Sequence, residues 1–170
     1  VWREQMTRFA ANAHVVSMDP RSQGQSTVTV KANTPEQRAQ DMRKVIASLG
    51  LKNVVLVGWS QGVQDVAAYA AASKGEGVAG YVLVDSTVGA GAADSISRPE
   101  ELKQQLEYMA IYQQYPKQYL NGMMNAIIRT PEARKRIDEY VTIGLNTPPD
   151  LGIGMLLMDF IAYDRRPALA

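Results

Sequence analysis

The chain has 170 residues, 46% hydrophobic and 21% charged, with a net charge of +1. That length can bury a core as one domain, the balance is ordinary for a globular protein and argues against disorder, and no basic cluster points to nucleic acid or an anionic membrane surface. The absence of cysteine excludes disulfides and thiolate metal sites but leaves the compartment open, no apolar run approaches the ~20 residues of a membrane span, and there is one histidine, His14.

Val1-Trp2-Arg3-Glu4 carries no signal-peptide pattern and no initiator methionine, so the chain reads as beginning partway through a longer sequence. Trp2, Met6 and Phe9 fall at helical spacing and predict the tail of an amphipathic helix over residues 1–11. Residues 14–19 form a β-branched run that stops at Pro20 and predicts a strand, followed by a polar loop over 21–26. Thr34-Pro35-Glu36-Gln37 predicts a helix start, with Thr34 as cap, Pro35 in the first helical position and Gln37 completing a capping box. Ala39, Met42, Val45, Ile46 and Leu49 then form one apolar stripe, and Gly50 is a natural stop.

Residues 53–59 are a short valine-rich run between Gly50 and Gly58, the pattern of a parallel strand buried on both faces. Residues 61–73 read as helix, with Val63, Val66, Ala67 and Ala70 on one side and Gly75 and Gly77 beyond it; 78–84 is a second apolar strand ending at Asp85. Helices alternating with strands predict an α/β fold with a parallel sheet. The second half differs. After a small-residue stretch over 88–97 come four expected helices, from Ser97-Arg98-Pro99-Glu100 to about 115, over 117–128, over 130–144 and over 151–163, with no strand between them.

Gly58-Trp59-Ser60-Gln61-Gly62 is G-x-S-x-G set between a predicted strand and a predicted helix. A tight turn there would hold the Ser60 hydroxyl at the end of the strand, with glycines where a Cβ would clash. The start of the following helix leaves N–H groups free at its positive dipole end, and the N–H of Gln61 is the expected donor to an oxyanion.

These residues resemble the α/β-hydrolase family, in its esterase- and lipase-like branch with a helical cap. Residues 15–26 are similar to that family's D-x-R-G-x-G-x-S strand and loop, with Ser22 where the family usually has glycine, in a loop that is structural there. Residues 41–66 resemble its helix, strand and nucleophile elbow; 81–86 resemble the next strand; and 164–169 resemble the segment leading from the cap back to the sheet. The resemblance implies a core portion over 1–87, a helical cap over 88–163 and a return toward the core over 164–170.

A serine hydroxyl needs a general base, and in this family the order is serine, then acid, then histidine. No histidine follows Ser60. His14, at the start of its expected strand, would stand about 16 Å from the far end of the sheet, out of hydrogen-bond reach. Asp85 is at the correct end of the sheet for an acid, but a residue at this position is more often structural or caps the following turn; Asp159 and Asp164 read as structural or solvated. The resemblance also implies a strand with a second oxyanion donor before residue 1, lying between the strands at Val15 and Val54, and strands carrying acid and base after Leu169. Without them the sheet would keep unpaired apolar edges, and these residues alone would be nearly inert.

The expectation is a serine hydrolase acting on a carboxylic ester or similar acyl substrate through an acyl-enzyme on Ser60, with Gln61 in the oxyanion hole and no metal or organic cofactor. The alternative is a non-catalytic hydrolase-like module that binds a ligand or partner, because the catalytic histidine is missing. Trp59 and a group of cap residues (Met109, Met123, Met124, Met155, Met158, Tyr108, Tyr112, Tyr115 and Tyr119) either line a pocket over Ser60 or pack the helices. Substrate, compartment and oligomeric state are not written in the sequence.

Overall fold

The computed structural model describes residues 2–86, 88, 92–162 and 164–169. The chain opens with helix α1 (Arg3–Phe9), none of whose residues is buried. Residues 14–19 do not form the expected strand. They pair with no described segment, and a strand exists only where a neighbour takes up its backbone hydrogen bonds. The loop beyond is held from within. Asp19 accepts from the Gln25 N–H at 2.9 Å, and Ser26 donates to the Asp19 carbonyl at 2.7 Å. A Cβ at Gly24 would fall 2.3 Å from the Asp19 carboxyl group, so only glycine fits. Ser22, fully buried, takes the left-handed φ of +62° that glycine would adopt freely. Its hydroxyl donates to the Thr29 carbonyl and accepts from the Thr29 N–H, which offsets that backbone strain.

Helix α2 (Pro35–Ser48) starts as the sequence predicts, with Thr34 Oγ1 accepting from Gln37 N–H at 3.2 Å. Only half of the capping box forms, because the Gln37 side chain turns forward to Asp41 instead of back. The helix closes when Gly50 and Leu51 donate to the Ala47 and Ile46 carbonyls, a Schellman arrangement. Strand β1 (Val54–Trp59), helix α3 (Gly62–Ser73) and strand β2 (Val78–Val84) follow. β1 and β2 pair in parallel from Val55↔Gly80 to Trp59↔Val84, with an irregularity after Val54.

β1 is not buried on both faces as expected. α3 and α2 cover one face, where Leu56 and Tyr81 meet Ala39, Ala68 and Tyr69. On the other face Val55 and Val57 are 52% and 49% exposed. α3 itself is buried from Val63 through Ala70, the polar Gln64 and Asp65 included.

The second half is helical: α4 (Ala92–Ser97), α5 (Pro99–Gln114), α6 (Pro116–Ile127), α7 (Pro131–Arg134), α8 (Ile137–Gly144) and α9 (Pro149–Leu157). The small-residue stretch expected over 88–97 lies partly outside the described residues; its described end is α4. Ser97 finishes α4 by donating to the Asp94 carbonyl and does not cap α5. The helix expected over 130–144 is divided into α7 and α8 by a turn at Lys135 and Arg136. The last one begins two residues early, because Pro149 suits a first helical turn. It continues as a π-helical turn (Met158–Ala162); Tyr163, its expected end, lies outside the described residues. A short 3-10 turn (Arg166–Leu169) closes the chain.

Tyr112, Leu120, Ile137 and Val141 form the core of this half, with Ile153 and Leu156 packed against it. The two halves are joined by polar bonds: Thr147 Oγ1 donates to the Ser22 carbonyl at 2.8 Å and Asn146 Nδ2 to the Gly24 carbonyl at 3.0 Å. No helix among the described residues is long and apolar enough to cross a membrane.

Candidate active site

Ser60 sits at the bend between β1 and α3 with a φ of +52°. A non-glycine residue in the left-handed region is strained, and such strain persists only where the surroundings over-determine it. Here they do. The Ser60 N–H donates to the Val84 carbonyl at the end of β2, and the Ser60 carbonyl accepts from the Val63 N–H, each at 3.0 Å. The strand enters this bend so close to the helix that a Cβ on residue 58 would lie 2.4 Å from the Gly62 carbonyl oxygen, so Gly58 is a steric requirement. A Cβ on Gly62 would meet nothing, and the second glycine of the motif has no such role here. Ser60 itself is half-buried, neither enclosed nor on open surface.

Gln61 precedes the first residue of α3, with φ −51° and ψ −34°. Among the described residues nothing accepts from its backbone N–H, which stands at the positive end of the helix. Its side chain is occupied at both ends: Nε2 donates to Asp159 Oδ2, and Oε1 accepts from Gln23 Nε2 at 3.3 Å. Trp59 lines a cleft of about 530 Å³ together with Trp2, Met6, Met18 and Gln23.

Of the other candidates, Asp85 is set beside the elbow, directly after Val84, whose carbonyl accepts from the Ser60 N–H. His14 is exposed in the stretch between α1 and α2. Asp85 is exposed past the end of β2, with φ +53°. Asp164 is exposed and bonded to Arg166. Most of the methionines and tyrosines pack the helices: Tyr112 stacks on Tyr119 at 4.7 Å, Met123 and Met124 flank the same core, and Tyr108 and Tyr115 face solvent. One reaches the elbow region: Met155 Sδ accepts from Gln23 Nε2 at 3.7 Å.

The sequence did not point to a buried ionic cluster under the elbow. Arg38, on α2, is fully buried; its Nε donates to Asp65 of α3 at 2.7 Å and its Nη2 to both carboxylate oxygens of Asp159 at 2.7 and 2.8 Å. A third donor, Nη1, reaches the Asn33 carbonyl. Burial pushes the Asp65 carboxyl up to about 7, against the pull of Arg38, and raises Asp159 as well. For Arg38, burial opposes the charge, but the two facing carboxylates outweigh it and hold the guanidinium above its ordinary value. The one sequence signal was Gln64-Asp65 inside a helix otherwise made of small apolar residues, where a charge has to find a partner. Among the described residues no group of histidine, aspartate and glutamate side chains is assembled as a metal site.

A family model described as alpha/beta hydrolase fold matches residues 1–151. Several solved structures share the fold. An esterase from Exiguobacterium antarcticum superposes with a TM-score of 0.80 at 18% identity, over 99% of this chain and 63% of its own. A thermophilic esterase from Thermogutta terrifontis gives 0.71 at 20%, over 96% of this chain and 58% of its own, and an esterase from a Rhodococcus species gives 0.70 at 23%, over 95% and 60%. The chain therefore spans about three fifths of the length of these esterases.

Proposed function

From the premise that this chain belongs to the alpha/beta hydrolase fold family, we propose that it carries the nucleophile of a serine hydrolase acting on a carboxylic ester or similar acyl substrate. The observation that carries this is Ser60, held at a strained φ of +52° between β1 and α3 by bonds to the end of β2 and to the first turn of α3. In the reaction Ser60 Oγ bonds to the acyl carbon as its proton passes to a base, and the carbonyl oxygen becomes an oxyanion facing the Gln61 N–H. The alcohol leaves with that proton, and water then repeats the sequence in reverse to free the acid and Ser60. The helices from α4 to α9 act as a cap over this edge of the sheet. In this reading acid and base come from residues outside these 170, since no histidine follows Ser60 and His14 is exposed in the stretch before α2.

That last point also supports a second reading, a non-catalytic module that binds a ligand on a hydrolase-like scaffold. One experiment separates them. The full gene product is treated with a fluorophosphonate probe, the labelled peptide is mapped, and a panel of short and long acyl esters is assayed. Labelling at Ser60 with turnover of an ester supports the hydrolase; a folded protein that neither labels nor turns over any ester supports the binding module.

A further inference from the structure

Two dihedrals decide where the Gln61 N–H points, ψ of Ser60 and φ of Gln61. Ser60 is already pinned through its own N–H and carbonyl, to Val84 and Val63. Gln61 is pinned through its side chain, and the anchor is Asp159, which is 1% exposed in the π-helical turn after α9. Asp159 is in turn held by the two-pronged contact from Arg38, itself anchored to Asp65 and to the Asn33 carbonyl. Four segments distant in sequence thus converge on one carboxamide: the loop at Gln23, α2, the elbow and the π-helical turn. In a dry interior such a chain of bonds is stiff, and π-helical turns recur where a helix has to re-aim a functional side chain. Met155 lies one helical turn before Asp159 and touches Gln23, so the same face of the last helix meets both partners of the Gln61 carboxamide.

We propose that Asp159 is a positioning residue: gripped by Arg38, it holds the Gln61 carboxamide and so fixes the backbone N–H of Gln61 as an oxyanion donor beside Ser60. Arg38 is shared with Asp65, and burial still raises the Asp159 carboxyl, so the bond from Gln61 helps to hold the carboxylate as well as tying the elbow to it. This inference rests on the hydrolase reading for its catalytic meaning, but the mechanical link can be tested without it.

The test uses Gln61→Met in the full gene product. Methionine keeps the backbone donor and the side-chain length, loses both carboxamide bonds, and leaves the Arg38–Asp159 contact intact. The expected result is a fluorophosphonate labelling rate and kcat lowered about tenfold or more, with KM little changed, because the interaction matters in the transition state. Amide hydrogen exchange over residues 60–64 is expected to accelerate by about the same factor while the rest of α3 keeps its protection. Gln61→Glu, which sets a carboxylate against Asp159, is expected to lose more than Gln61→Met. In a double-mutant cycle, Asp159→Asn and Gln61→Met are expected to be less than additive in labelling rate. Unchanged labelling and unchanged exchange in folded Gln61→Met would overturn the inference. If the wild type never labels, the hydrolase reading fails, while the exchange measurement still decides whether Asp159 holds the elbow.

Discussion

The half built on β1, α3 and β2 and the half built from α4 to α9 hold their important residues in different ways. Around Ser60 the backbone does the positioning: a left-handed residue tied to both neighbouring segments, and a glycine where strand and helix nearly touch. In the helical half, side-chain packing does it, with Tyr112, Leu120, Ile137 and Val141 filling one core and Tyr119, Met123 and Met124 packed against it. Backbone devices use particular residue types at particular places. Packing only requires enough apolar volume on the correct face. The two halves are joined by polar contacts, the buried pair of Arg38 with Asp159 and the bonds of Asn146 and Thr147 to the loop at Ser22 and Gly24.

The comparison breaks most sharply at Ser60. Ser60→Ala in the full gene product is expected to abolish fluorophosphonate labelling and to lower ester turnover by up to about 10⁶-fold, with the circular dichroism spectrum unchanged. Ser60→Gly is expected to be as inactive but about 1 kcal/mol more stable to denaturant, because glycine relieves the left-handed strain. The joint comes next. Arg38→Met leaves two buried carboxylates without their partner and is expected to cost about 3–5 kcal/mol in equilibrium unfolding. Leu120→Ala, in the core of the helical half, is expected to cost about 2–4 kcal/mol by the same measurement. If the halves are held separately, the Ser60 labelling rate of that variant will scarcely move.

A smaller effect depends on pH. Asp65 has a folded-state pKa raised from 3.8 to about 7, so the folded protein binds this proton more tightly than the unfolded chain. Its contribution to stability is therefore full below about 3.8, declines as pH rises and is gone above about 7. The charged groups facing it are Arg38, Asp159 and Arg165. The melting temperature is expected to fall between pH 5 and pH 8, and Asp65→Asn is expected to flatten that slope. The smallest change is at the cap of α2, where Thr34→Ala is expected to cost about 1 kcal/mol in a urea titration.

The elements of the first half could be read because each carries a local mark. Thr34 and Pro35 open α2, Gly50 closes it, and the valine runs give β1 and β2 nearly to the residue. The elbow could be read for the same reason, since Gly58 two residues before Ser60, where a strand runs into a helix, reflects local backbone sterics. Where a state depends on a distant partner, the sequence misled. Residues 14–19 have strand composition but no strand beside them, and Val55 and Val57 look like core yet lie open. The split of α7 from α8 and the π-helical turn after α9 are also set by packing, not by local propensity.

Composition and spacing alone determined the α/β character of the first half, the helical character of the second, and the place of Ser60 at the end of β1, ahead of α3. Only the tertiary structure decided that Arg38 is fully buried, that Asp65 and Asp159 share it, and that Gln61 is bonded to a residue 98 positions away. The physical reason is range. Helix caps, glycine turns and apolar periodicity act within a few residues along the chain, whereas a charge inside a protein is tolerated only by partners that folding brings from far along it.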